Sequence, residues 1–184
     1  MNGHRIHPVP SGPAHSRGPA HRRLAAAIEL HTHDVHAARD SETLFDVVET
    51  ILHEAELDGA LMLSNGAHDS SLMVVAANRS APNATLTHGS SWHIRGGQLP
   101  RATLPHWDRA LSGRVAVFLD SHLPPARPAI PAVLAPLIVN GAEGGLLQLA
   151  GPQVSLELLP IADLLAMRVA AKLMDLRPTV PNPA

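Results

Sequence analysis

The sequence predicts an α+β domain built around a largely antiparallel sheet, and three observations predict it. Apolar residues recur every three or four positions near both ends of the chain, which is helical spacing. Between those ends lie short apolar runs, each closed by Gly, Asn, Asp or Pro, which is strand-and-turn punctuation. The runs follow one another while the long helical patterns stay outside them, an order that separates helices from strands. At 184 residues the chain is one domain's worth.

The elements fall in this order. Residues 1–22 mix Pro8, Pro10, Pro13 and Pro19 with Gly, Ser and His and bury too little to offset their ordering entropy. They are expected to form a disordered tail, as are residues 178–184, with one domain over 23–177. From Leu24 to Arg39, the positions Leu24, Ala27, Ile28, Val35 and Ala38 suit an amphipathic helix with a histidine-rich middle. Asp40-Ser41 offers a fresh N-cap for a second stretch carrying Leu44, Phe45, Val48, Ile51, Leu52 and Ala55, or marks a kink in one long helix. Residues 60–63 and 72–77 then read as an antiparallel hairpin across Ser64-Asn65-Gly66. Residues 78–110 hold many Gly and Pro and are expected to be irregular. Strand character returns at Val115–Leu119, at Val133–Val139 and at Gly145–Leu149. Pro136 must sit at an edge, a bulge or a strand start, because it cannot donate to a ladder. A final helix spans about Ser155 to Leu176, stopped by Pro178.

Composition removes several function classes. Apolar residues make up 45% of the chain, enough for a core, while aromatics reach only 2%. Base stacking on a single strand needs several exposed rings, so nucleic-acid binding of that kind is disfavoured. Residues 1–23 carry four arginines and no carboxylate. The rest holds 10 basic and 16 acidic residues, a net −6 that suits neither nucleic acid nor anionic lipid. Absence of cysteine excludes disulfides, thiolate metal sites and thiol nucleophiles. No run is long and apolar enough to span a membrane, and residues 1–23 lack the apolar core of a secretory signal, so a cytoplasmic protein is expected.

Three segments carry a family resemblance. Leu111-Ser112-Gly113-Arg114-Val115-Ala116-Val117-Phe118-Leu119-Asp120 resembles a strand of GAF domains that runs Gly, basic or polar, small, two apolar, Asp. Pro131–Gly141 is similar to their strand with an apolar-flanked Pro-Leu pair and a terminal Gly. Gly144-Gly145-Leu146-Leu147-Gln148-Leu149 resembles the Ile-Gly-Val-Leu strand that follows. The resemblance covers about residues 40–176. It implies a central antiparallel five- or six-stranded sheet, with N- and C-terminal helices on one face and an irregular roof on the other. It also implies a non-catalytic sensory or regulatory module. Such modules bind cyclic nucleotides, haem, tetrapyrroles or small metabolites, or only dimerise. Bilin-bearing and methionine-sulfoxide-reducing members depend on cysteines absent here, and no Asn-Lys-x-Asp-Glu run of the cyclic-nucleotide members occurs.

Two constellations carry potential chemistry. His31-Thr32-His33-Asp34-Val35-His36 places His33 and His36 on one helix face, with Asp40 at i+7. That spacing suits either a borderline metal or a stripe of histidines facing solvent or a partner. With no distant ligand cluster to complete it, no metal site is expected. If the stripe faces a second copy, protonation near pH 6 is expected to weaken a dimer. The second is Trp92, His93, Arg95, His106 and Trp107 in the 78–110 segment. Two large rings beside imidazoles and a guanidinium fit a ligand pocket with few polar anchors, or a face closed by its own side chains. His93 is the position for a haem iron and Arg95 for a carboxylate or phosphate. Gly96-Gly97, Gly141 and Gly144-Gly145 are expected in turns, and Met62 and Met73 in the core.

The expected function is a GAF-like sensory or regulatory domain, homodimeric through its terminal helices, with a small-molecule ligand under residues 78–110 and a separate signalling effector. No cofactor is assigned. The alternatives are a ligand-free interaction and dimerisation module and a His-dependent metal or haem protein.

Overall fold

The computed structural model describes residues 18–65, 71–79, 94–100, 105–122 and 130–176. The first helical pattern is two helices, α1 (Ala20–Leu30) and α2 (Thr32–Ala37), divided at His31. Helix α1 starts inside the expected tail because Ala20 and Leu24 are buried and the Pro19 carbonyl accepts the Arg22 and Arg23 amides. Helix α3 (Ser41–Glu54) is a separate element: the Asp40 carboxylate accepts the Thr43 amide at 2.7 Å and caps it.

The strands are β1 (Asp58–Ser64), β2 (Ser71–Asn78), β3 (Gln98–Pro100), β4 (Val117–His122), β5 (Ile130–Val139) and β6 (Ala142–Ala150). They form one antiparallel sheet in the order β3-β2-β1-β6-β5-β4. Helix α4 (Pro105–Gly113) connects β3 to β4. A 3-10 turn at Leu156–Leu158 leads into α5 (Leu159–Leu176).

Two sequence expectations are corrected here. Part of the segment expected to be irregular is regular: residues 98–100 pair with β2, and residues 105–113 form α4. The reason is burial, since Trp107, Ala110 and Leu111 make an i, i+3, i+4 stripe that packs on the sheet. Gly144 and Gly145 lie inside β6, not in a turn. A Cβ on Gly145 would meet the Met62 carbonyl oxygen at 2.1 Å, so glycine is required by the approach of β1. The turn itself is two residues long. Asn140 and Gly141 both have positive φ, and Val139 pairs with Ala142 across it.

Pro136 meets its edge condition. Strand β4 reaches only Leu134 on β5, so Pro136 lies where β5 has β6 as its one paired neighbour.

Alternation along the strands creates two cores. Leu61, Val75, Val133, Ala135, Leu137, Leu147 and Leu149 face α1, α2, α3 and α5. Ala60, Met62, Leu72, Val74, Ala132, Leu134 and Leu146 face the opposite way, toward α4. First and last helices therefore share one face. Polar bonds tie that layer together: Arg23 Nε donates to the Ala55 carbonyl at 2.9 Å, and Arg168 donates to Thr32 Oγ1 at 2.7 Å. No described helix is long and apolar enough to cross a membrane.

Candidate functional site

The α4 face holds a buried polar group, Gln148, that is not fully hydrogen-bonded among the described residues. Strand β6 would read as apolar from Leu146 to Ala150 but for Gln148, which pairs with Ala60 and Leu134 and shares their face. Its side chain is fully buried. Trp107, also fully buried, donates from Nε1 to Gln148 Oε1 at 3.1 Å. The amide nitrogen Nε2 has no hydrogen-bond partner among the described residues. An unpaired buried donor costs about 1–3 kcal/mol, so this NH2 is a standing demand for an acceptor. Around it stand Met62, Leu72, Val74, Leu134 and Leu146, a fully buried apolar core with one oriented polar pair.

Of the five predicted site residues, Arg95, His106 and Trp107 are described. Trp107 is on this face, and His106 beside it on α4 is half-buried. Trp92 and His93 lie outside the described residues. Arg95 turns away to the helix layer: its guanidinium reaches Asp46 Oδ1 at 2.7 Å and Glu42 Oε1 at 2.6 Å, with Glu49 Oε1 at 3.8 Å. These carboxylates, the Asp46 hydrogen bond foremost, raise its pKa further above the ordinary value. Arg95 therefore clamps the entry of β3 onto α3, where Gly96 and Gly97 also bond to the Val74 backbone. Gln148 went unnoticed in the sequence, although a lone amide in an apolar strand run is a legible sign.

The histidine stretch takes structural positions. His31 Nδ1 is 2.8 Å from Asp34 Oδ2, and its Nε2 is 3.1 Å from Glu54 Oε2 without the alignment of a hydrogen bond. The Asp34 hydrogen bond first, and then the nearby Glu54 carboxylate, raise its pKa, outweighing burial. His36 Nδ1 lies 2.7 Å from the Thr32 carbonyl, and His33 is exposed. Among the described residues no group of three or more His, Asp or Glu side chains is placed to hold a metal ion.

A six-stranded antiparallel sheet with terminal helices on one face and a short helix over the other defines an α+β class of fold. Its particular form is the GAF fold. The chain is similar to the GAF domain of a phosphoenolpyruvate-protein phosphotransferase from Coxiella burnetii. They share 17% identity and a TM-score of 0.61 over 86% of this chain and 96% of that one. It is also similar to a free methionine-R-sulfoxide reductase from Neisseria meningitidis, solved with its substrate, at 12% identity and a TM-score of 0.64, covering 88% and 93%. The chromophore-binding domain of a bacteriophytochrome from R. palustris matches at 13% identity and a TM-score of 0.61, over 88% of this chain and 63% of that one. No family model and no curated protein matches the sequence.

Proposed function

We propose that this chain is a non-catalytic sensory or regulatory GAF-type domain that holds a small molecule against the α4 face and works as a homodimer. The observation that carries the reading is the unpaired Gln148 amide, fully buried beside Trp107 in the apolar core under α4. A ligand that enters between α4 and the sheet and presents a carbonyl or carboxylate oxygen there gains a hydrogen bond that the free protein lacks, and its apolar part packs against Met62, Val74 and Leu134. The likeness to a chromophore-binding domain and to an enzyme solved with its substrate supports a ligand in a fold of this kind. Reductase chemistry does not transfer, since a chain without cysteine has no thiol to supply two electrons.

The dimer is proposed on the outer face of α5. Leu164, Met167, Ala171 and Met174 are exposed and step by three and four, the seam spacing of paired helices. Large apolar side chains repeated along one exposed stripe suit a second copy more than water. A separate effector then reads the paired α5 helices.

The test is a thermal-shift screen of nucleotides, haem and small carboxylates, repeated on Gln148→Leu. A true ligand at a hundred times its Kd stabilises the folded state by about 2.7 kcal/mol. That gain should shrink in Gln148→Leu and be accompanied by a change in Trp107 fluorescence. A screen with no shift, together with an intact dimer, sinks the ligand and leaves the ligand-free interaction module.

A further inference from the structure

We propose a second binding site, on the helix face, for a small amphiphile: an acyl chain ending in a carboxylate. A groove of about 490 Å³ opens where the first turn of α3 and the last turns of α5 diverge over the sheet end. Its floor and walls are Phe45, Leu63, Met73, Val75, Leu173 and Leu176. The volume is within the range of small-molecule pockets, and the interior is apolar.

The sequence expectation for Met73 is corrected here. It is 36% exposed over this groove and is not core filler, whereas Met62 is fully buried. Leu63, Leu173 and Leu176 are also only half-buried. The helix layer therefore ends before the apolar floor does, and one stretch of it stays wet.

Charge selects the head group. Arg39 and Asp40 both stand at the rim, but they are not equivalent. The Asp40 carboxylate is engaged by the Thr43 amide at the N-terminus of α3, whose partial positive charge it meets. Arg39 is exposed and has no hydrogen-bond or ion-pair partner among the described residues. Ser41 and Ser64, also on the rim, bring hydroxyl donors. The mouth thus offers one unpaired guanidinium, whose fork matches a carboxylate bidentately, while Asp40 is turned to the α3 amides. An apolar trough with a single free arginine at its end complements a fatty-acid-like anion. Such a ligand would bridge α3 to the last turn of α5, next to Met174 on the proposed dimer stripe, from a face opposite Gln148.

Decanoate, below its micelle concentration, is the probe, titrated calorimetrically into the full chain. The expected result is one site per chain, with Kd raised roughly tenfold in Arg39→Gln. Decanol should bind the native protein about as weakly as decanoate binds that variant. Met73→Trp, which fills the groove from an exposed position, should remove binding while circular dichroism and the melting point stay native. Gln148→Leu should leave it unchanged. Absence of decanoate binding overturns the proposal, as does equal binding of decanol and decanoate. Binding lost in Gln148→Leu but kept in Met73→Trp places the ligand on the other face and overturns it too. If Met73→Trp instead changes the native mass and decanoate does not bind, the groove belongs to a second copy.

Discussion

Trp107 and Gln148 show how much one hydrogen bond decides at the residue scale. Trp107→Phe removes the donor and leaves both ends of a buried amide unpaired. It should cost about 3 kcal/mol or more, part cavity and part unpaired amide, in urea unfolding. Adding Gln148→Leu to that variant should recover some of the loss, because the demand for partners then disappears. A double variant no better than the single one would show that the amide is already satisfied. His31 makes a second residue-scale case. Its folded pKa is raised by Asp34 and Glu54, so the protonated ring favours the folded state. That contribution is full below the ordinary value of 6.5 and fades as pH rises through the higher folded value. Melting curves between pH 5.5 and 8 should therefore show a loss on the alkaline side that His31→Gln lacks. This is opposite in sense to a stripe that weakens on protonation, because His31 turns toward carboxylates of its own chain.

Among elements, β3 and α4 depend most on neighbours. Strand β3 is three residues long and lies at the sheet edge, held by β2 and by Arg95 on α3. An ion pair on side chains that exposed contributes little, so Arg95→Ala should cost less than about 1 kcal/mol. Its effect should show as faster amide exchange at Leu99, with exchange in β1, β5 and β6 unchanged. Uniform acceleration across the sheet would mean that the clamp supports the whole fold. The break between α2 and α3 was open in the sequence, where Asp40-Ser41 fitted either a cap or a kink. The Asp40 bond to Thr43 makes it a cap. Helix α4 was legible in principle through Trp107, Ala110 and Leu111, but nine residues bounded by Gly and Pro carry too short a pattern to outweigh the turn formers around them.

The whole molecule is a sheet with two faces of different use: one packed under α1, α3 and α5, the other under α4. If α5 pairs with a second copy, Met167→Glu should give a monomer on a sizing column with an unchanged melting transition. That residue is 61% exposed and contributes little to the core. Leu165→Ala, fully buried one position from the stripe, should instead lose about 2–5 kcal/mol of stability. A native protein that is already monomeric removes the dimer.

The sequence by itself determined the class of fold, the helices at both ends, the hairpins and the need for Pro136 to lie at an edge, a bulge or a strand start. These follow from local period and turn chemistry, which a chain expresses before it folds. It also determined, through the absence of cysteine, that no thiol acts here. Only the tertiary structure decided that Arg95 faces α3 and not Trp107, that Met73 is exposed over a groove, and that Gln148 carries an unpaired amide. Each of those depends on which face of the sheet a side chain takes and on what a distant element brings to it. Trp107 and Gln148 are 41 residues apart, and Arg95 and Asp46 are 49. Pairings at such separations are set by strand register and by the bulge between Leu61 and Met62, which no local pattern encodes.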